Sequence, residues 1–303
     1  MKLAESRSFT KFRTQSLPDK FFDIFNFFIL GLVSFSIVYP LYFVIIASFS
    51  DPVAINNGEV VFWIKDFTIE GYLKIFENTK IWRSYLNTIG YTVIGTIIQL
   101  TLTMLLAYPL SRREFFLRNP ILFLAMFTMY FRGGLIPTFL WVNKLHLYNT
   151  RLIIILLPAI NVFNLLIAMN FIRNSIPEEL YEAASIDGLG HIGYLTKIVI
   201  PLSKAIEVVL ILYYGVAHWN EFMNGLIYLR DETLYPLQLT LRGILLQNQV
   251  SSLGDVDSMV EQQKAAELIK YGLIIVSSIP VMVVYPFIQG YFAKGVMVGS
   301  VKG

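Results

Sequence analysis

The sequence predicts an all-α polytopic membrane protein with six transmembrane helices, and three observations carry that expectation. Of 303 residues, 55% are hydrophobic and only 15% are charged, against about 25% charged in soluble domains. The mean hydropathy is +0.60. Apolar runs of spanning length then recur along the chain, since a bilayer core about 30 Å thick takes ~20 apolar residues per helix.

Taken in order, residues 1–20 form a basic N-terminal segment, followed by the first charge-free run, Ile24 to Ser50. That run is too long for a cleaved signal peptide, and no small-residue cleavage site follows it. The second run is Ser84 to Ser111. The third, Asn119 to Asn143, is interrupted only by Arg132, and Gly133, Gly134 and Pro137 beside it predict a broken helix. Leu152 to Ile172 supplies the fourth. The fifth, Ala205 to Leu229, holds Glu207 and Glu221 and is the weakest; the sixth is Tyr271 to Ala293.

Orientation follows from the positive-inside rule. With the N-terminus inside, the cytoplasmic pieces are 1–20, 112–118, 173–204 and the tail 294–303, and they hold 13 Lys and Arg against 10 on the other side. Arg112, Arg113 and Arg118 crowd one very short loop, where charge weighs most. Both termini are therefore placed in the cytoplasm of a multi-pass membrane protein. Outside lie 51–83, rich in aromatics (Phe62, Trp63, Phe67, Tyr72), the short 144–151, and the stretch 230–270, most of it the long loop 230–266 with Gly254-Asp255-Val256-Asp257 as a turn. No internal repeat or soluble linker interrupts the chain, so 1–303 reads as one integral domain.

Composition also excludes. A chain without Cys has no thiolate chemistry, disulfide scaffold or iron–sulfur cluster. The three His residues are scattered and show no metal-ligand spacing. A net charge of +3 is too small to imply nucleic acid. No G-x-x-x-x-G-K-[ST] loop is present, and neither H-E-x-x-H nor G-x-S-x-G occurs.

Residues 175–201, SIPEELYEAASIDGLGHIGYLTKIVIP, are the most informative stretch. Ser175 and Glu178 have the spacing of a capping box, Pro177 stands where a missing N–H costs nothing, and a helix is expected from about Ile176 to Asp187. Gly188 and Gly190 are free to take the positive φ that ends it. A second short helix follows with Ile192, Leu195 and Val199 on one face, and Pro201 marks the next boundary. The product is a helix–turn–helix across the cytoplasmic surface, with Ala183 and Ala184 as a close-approach surface. An amphipathic elbow that merely joins two spans would look alike.

Glu182-Ala183-Ala184, three residues, Gly188, nine residues, then Ile198-Val199-Ile200-Pro201 resembles the EAA signature of ABC-importer permeases; Ile200 stands where Leu is usual. The likeness covers nearly the whole chain. Gly133-Gly134-Leu135-Ile136-Pro137, His218-Trp219-Asn220, Tyr235-Pro236-Leu237-Gln238-Leu239 and the terminal GVMVGSVKG resemble the maltose-type, carbohydrate-uptake branch and, within it, the LplC/YtcP-like group. The resemblance implies a type I ABC importer permease fold in a bacterial cytoplasmic membrane. It also implies a non-enzymatic transport subunit that moves oligosaccharides, uronate-type acidic ones among them, by alternating access. Implied partners are a second, non-identical permease, two ATPase subunits that hold ATP and Mg, and an extracytoplasmic sugar-binding protein; no cofactor would sit on this chain. By the same resemblance Glu182, Ala183, Ala184, Asp187, Gly188, Ile198 and Pro201 form the coupling loop. There Glu182 would pair with a basic residue of the ATPase and Gly188 would set the bend.

Polar groups inside the spans leave alternatives open. Arg132 either ends a helix and snorkels to headgroups or lines the path and meets an acidic sugar. Tyr213, Asn220 and Asn224 fall near one helical face, with Trp219 and Glu221 close by. These residues form either an aromatic belt or a surface on which a sugar ring stacks. The stripe Asn87, Thr88, Thr92, Thr96, Gln99 and Thr103 faces either a pore or another helix. An ion-coupled secondary transporter is the competing class, with Glu207 and Glu221 as its thin support; an intramembrane enzyme lacks any catalytic constellation.

Overall fold

The computed structural model describes residues 16–131, 133–250, 269–284 and 286. All regular structure among them is helical. The described residues fall into two compact units: those up to Leu73 with those of 260–275, and those of 74–259 with those from 276 on.

The first unit is built on α1 (Leu17–Ser48), which opens with Ser16 accepting a hydrogen bond from the Asp19 N–H and with Pro18 in its first turn. Its apolar side chains point outward almost all round: Phe27 is 81% exposed. A helix uniformly apolar and unburied by its own chain is made for lipid. Its C-terminal end is tied down instead. Asp51 caps the short α2 (Pro52–Asn56), the Tyr72 hydroxyl donates to Ser48 Oγ at 2.9 Å, and Phe49 stacks on Phe67. Ile46, Ala54 and Val60 close a small core there.

Beyond α3 (Glu70–Glu77), the second unit is organised by α4 (Thr79–Ser111), which Asn78 caps through the Lys80 N–H. At 1.5 Å per residue its 33 residues reach about 50 Å. There follow α5 (Arg118–Tyr130), α6 (Leu135–Lys144), α7 (Arg151–Leu156), α8 (Val162–Ser175) and α9 (Glu179–Ile186). After α10 (His191–Tyr194) a π-helical turn, Leu195–Val199, leads through α11 (Ile200–Leu202) into α12 (Lys204–Trp219). Then come α13 (Met223–Tyr228), a 3₁₀ turn at Glu232–Leu234, α14 (Leu237–Val250) and α15 (Ile269–Val284).

Among the described residues two helices, α1 and α4, are long and apolar enough to cross a bilayer. The pair α5 and α6, bent by 116°, would make a third if it acts as one span. Gly134, at φ 85°, opens α6, which agrees with the break expected from Gly133, Gly134 and Pro137; Arg132 itself lies outside the described residues.

Two expected continuous spans are broken. The stretch 152–172 divides into α7 and α8 around Pro158, which brings no N–H to a helix, and Asn161 starts α8 by accepting from the Asn164 N–H. The stretch 205–229 divides at Asn220–Phe222, where the Glu221 carboxylate accepts from the Asn224 N–H at 2.8 Å and so restarts the chain as α13. The segment 230–266, expected as an outer loop, contains the 14-residue α14; its expected turn at Gly254 to Asp257 lies outside the described residues, as do the tail 294–303 and most of segment 1–20.

The core of the second unit lies where α4, α8, α9 and α12 meet, on Tyr108, Leu165, Ala168, Ile172, Ala184, Val199, Leu210 and Tyr214. The polar stripe of α4 is turned inward. At one end Asn87 Nδ2 donates to the carbonyls of Thr233 and Tyr235, the Tyr91 hydroxyl donates to the Leu234 carbonyl, and Thr88 Oγ1 accepts from the Leu237 N–H at 2.7 Å. Asn149, at φ 57°, fixes the neighbouring strand of chain by accepting from the N–H groups of Arg230 and Asp231.

Candidate functional site

The segment between α8 and α12 folds as an elbow. Ser175 does not cap it, contrary to the capping-box expectation: it is the last residue of α8. Ile176 then turns extended, at φ −110° and ψ 111°, as a residue before proline must. Glu178 occupies the N-cap of α9 without a side-chain cap bond, and its carboxylate lies 3.9 Å from the Arg112 guanidinium instead.

The helix ends as the sequence suggests, but on one glycine alone. Gly188 takes φ +77°. Its N–H donates to the Ser185 carbonyl and the Leu189 N–H to the Ala184 carbonyl, at 3.1 and 2.9 Å. That pair of bonds is a Schellman closure. Gly190 has φ −73° and takes no part in it.

The two alanines separate. Ala184 is 4% exposed and packs in the chain's own core, whereas Ala183, Glu182, Asp187 and Gly188 are exposed. The outward face also carries Ile186, at 87% exposure. Ile192 departs from the expected face as well: it is exposed, while Leu195 and Val199 are buried. Ile198 is half-buried and Pro201 exposed, in the first turn of α11.

What anchors the elbow was not read from sequence. Arg112, just past the end of α4, lays its guanidinium 3.7 Å from the Tyr181 ring centroid and pairs with Glu114 at 3.2 Å. Tyr181 stacks on His191 and meets Tyr194 edge-on. The Tyr108 hydroxyl and His191 Nδ1 share a hydrogen bond of 3.1 Å. Burial pushes the Tyr194 phenol above its ordinary pKa, against the pull of Arg112, so it stays neutral and packs as an aromatic edge. A cation desolvated over a ring contributes up to about 2 kcal/mol. The elbow is thus held rigidly by aromatic and cationic contacts to the end of the long helix, with its outer face free. The only hint in the sequence was that Arg112 follows an apolar run directly.

The expected sugar-facing residues do not converge. Tyr213 is 41% exposed, whereas Trp219 is buried and donates from Nε1 to the Ser277 carbonyl. Asn220 caps the end of α12 and bonds the Val216 carbonyl. Glu221 and Asn224 pair with each other across the break. The single-face arrangement assumed an unbroken helix, and the break at Asn220 removes it.

Along α4 and α12, several buried polar atoms lack partners among the described residues: Thr92 Oγ1, Thr96 Oγ1, Gln99 Oε1 and His218 Nε2. An unmade buried hydrogen bond costs about 1–3 kcal/mol. The helices touch closely here, for a Cβ on Gly95 would fall 2.2 Å from His218 Nε2. No group of His, Asp and Glu among the described residues is arranged to hold a metal.

A helical chain with membrane-spanning helices and an anchored elbow whose outer face is exposed has the build of a membrane transport subunit. Comparison with known proteins makes the class specific. The model of the family described as binding-protein-dependent transport system inner membrane component matches residues 112–298, and the chain belongs to that family. It is 40% identical over 292 residues to the polygalacturonan/rhamnogalacturonan transport system permease protein YtcP of Bacillus subtilis, covering 95% of this chain and all of that protein. It is 38% identical to protein LplC of the same organism, over 93% of this chain and 95% of the relative. A chain from the crystal structure of a bacterial ABC transporter involved in import of the acidic polysaccharide alginate superposes with a TM-score of 0.84 at 31% identity, over 92% of this chain and 99% of that one. Membership makes the chain a non-enzymatic inner-membrane permease subunit of an ABC importer, which works with an ATPase and a binding protein.

Proposed function

We propose that this permease admits oligosaccharides released from uronate-rich polysaccharides and that its elbow, Glu179 to Pro201, is the part that docks on the ATPase. The observation that carries the docking role is the division of the EAA segment: Ala184 is locked inside while Glu182, Ala183, Ile186 and Asp187 face outward on a helix closed by Gly188. An exposed apolar side chain such as Ile186 on a rigid cytoplasmic helix suits a partner's groove. The relatives' names, together with the alginate importer, favour acidic cargo. A second, non-identical permease completes the pore, and both termini lie in the cytoplasm with the Arg-rich loop 112–118.

In liposomes carrying the assembled importer, with the binding protein outside, oligogalacturonate uptake should require internal ATP and be indifferent to the membrane potential. Uptake that collapsed with the potential but survived ATP depletion would point to an ion-coupled carrier instead. Gly188→Val should abolish uptake, because a β-branched residue is strained at φ +77°, while membrane insertion is preserved.

A further inference from the structure

Between α1 and α3 lies an aromatic-rich stretch with no part in the elbow. Within it, residues 60–64 read Val-Val-Phe-Trp-Ile, an apolar run bounded by Glu59 and Lys65. Val60 packs in the small core beside Ile46 and Ala54. The four side chains after it are left uncovered, with Phe62 51% and Trp63 78% exposed.

The stretch forms a hook that folds back along α1. At its base the Asp51 N–H donates to the Lys65 carbonyl at 3.1 Å and the Lys65 N–H to Ser50 Oγ at 3.2 Å, beside the end of the helix. At its tip the Tyr39 hydroxyl donates to the Val61 carbonyl at 3.1 Å and the Tyr42 hydroxyl to the Phe62 carbonyl. The Phe62 ring meets Tyr39 edge-on. Tyr42 and Tyr39 stand six and nine residues before Ser48, so at 1.5 Å per residue the tip lies about 9–14 Å back from the end of α1. A hydrocarbon core about 30 Å thick, entered at Ile24 just past Asp23, is crossed by about Phe43.

We propose that residues 61–64 are a wedge set into the headgroup–acyl boundary of the leaflet at the C-terminal end of α1, and that lipid is what covers this exposed apolar surface. Continuity argues for lipid: the tip is mounted on the flank of α1, where Phe35, Val38, Leu41 and Ile45 are likewise uncovered by the chain. Trp and Tyr concentrate at that depth because their rings are apolar and their polar edges still reach water. Backbone carbonyls brought there need partners, and the two tyrosine hydroxyls supply them. The charged groups of the hook are three carboxylates, Asp51, Glu59 and Asp66, against Lys65 alone. Burial of apolar side chains therefore holds the wedge, not attraction to anionic headgroups.

Fluorescence quenching tests this without knowledge of the cargo, since the chain has no Cys of its own. The full importer, its partner subunits freed of Cys, is placed in vesicles of phosphatidylethanolamine and phosphatidylglycerol. The label is nitrobenzoxadiazole on Ile64→Cys, which leaves Trp63 in place. A lipid nitroxide near the headgroup end of the acyl chain should quench it about threefold more than aqueous iodide does. The same label on Asn57→Cys, exposed in the turn after α2, should show the reverse. Tyr39→Phe combined with Tyr42→Phe keeps both rings but frees the carbonyls to seek water, and should cut lipid quenching at position 64 about twofold. Raising the phosphatidylglycerol fraction should change nothing. Stronger quenching by iodide than by lipid at position 64 would overturn the proposal. So would loss of both on adding the sugar-binding protein, which would make the patch a protein-docking surface. Undiminished lipid quenching in the double tyrosine variant would overturn the role given to the hydroxyls, and deeper insertion with more phosphatidylglycerol would overturn the apolar basis.

Discussion

Helices α1 and α4 have nearly the same length, 32 and 33 residues, and both can cross a bilayer, yet they meet the rest of the chain very differently. Of the most apolar window of α1, 6% is buried within the chain; for α4 the share is 44%. Hydropathy ranks α1 first, at 2.3 against 1.8, and so hides the distinction. The informative signal is the polar minority. The polar stripe of α4 at helical spacing marks the face that other segments close on, whereas a helix as evenly apolar as α1 is written for lipid.

Substituting equivalent glycines breaks the comparison most sharply. Gly95→Leu drives a side chain into the His218 ring. It should cost about 1–3 kcal/mol or more through overpacking, seen as a lowered melting temperature in detergent. Gly31→Leu in α1 has nothing within 4 Å of its new Cβ and should be neutral or slightly stabilising, by up to ~1 kcal/mol of helix propensity. Equal effects at the two glycines would erase the distinction drawn between the helices.

Next in size comes Asn87→Ala, which strands the Thr233 and Tyr235 carbonyls and should cost about 1–3 kcal/mol. Ser36→Ala in α1 deletes only a bond to its own helix's Leu32 carbonyl and should stay within about 0.5 kcal/mol. Protease resistance of the 230–237 segment is the readout, and only the Asn87 variant should be nicked faster. Among the changes expected to matter, the smallest is Arg112→Lys at the end of α4. It keeps the charge but loses the planar stack on Tyr181, worth about 0.5–2 kcal/mol. Sugar carried per ATP hydrolysed should fall several-fold with assembly intact.

These contrasts also show how far the sequence reached. Apolar runs placed the C-terminal ends of α1 and α4 well, whereas both helices begin before the charge-free runs Ile24 to Ser50 and Ser84 to Ser111, at Leu17 and Thr79, because their first turns carry charged residues. The EAA pattern located the elbow, and Gly188 ended its helix for the conformational reason that made it conspicuous. Hydropathy could not see the breaks at Pro158–Asn161 and Asn220–Phe222, since the chain stays apolar while its backbone turns. Ser175 looked like a cap but was spent on the preceding helix, a choice made by the following Ile176-Pro177. The seam at His218 and the Arg112–Tyr181 anchor join residues far apart in sequence, and local pattern carries no trace of such pairings.

The central claim is that the outer face of α9 docks on a separate ATPase. A photoactivatable cross-linker on Ile186→Cys, in native membranes containing the full importer, tests it directly, with Val33→Cys on lipid-facing α1 as reference. The account predicts that the first captures the ATPase subunit and the second only lipid. Capture of lipid alone from both positions would contradict it.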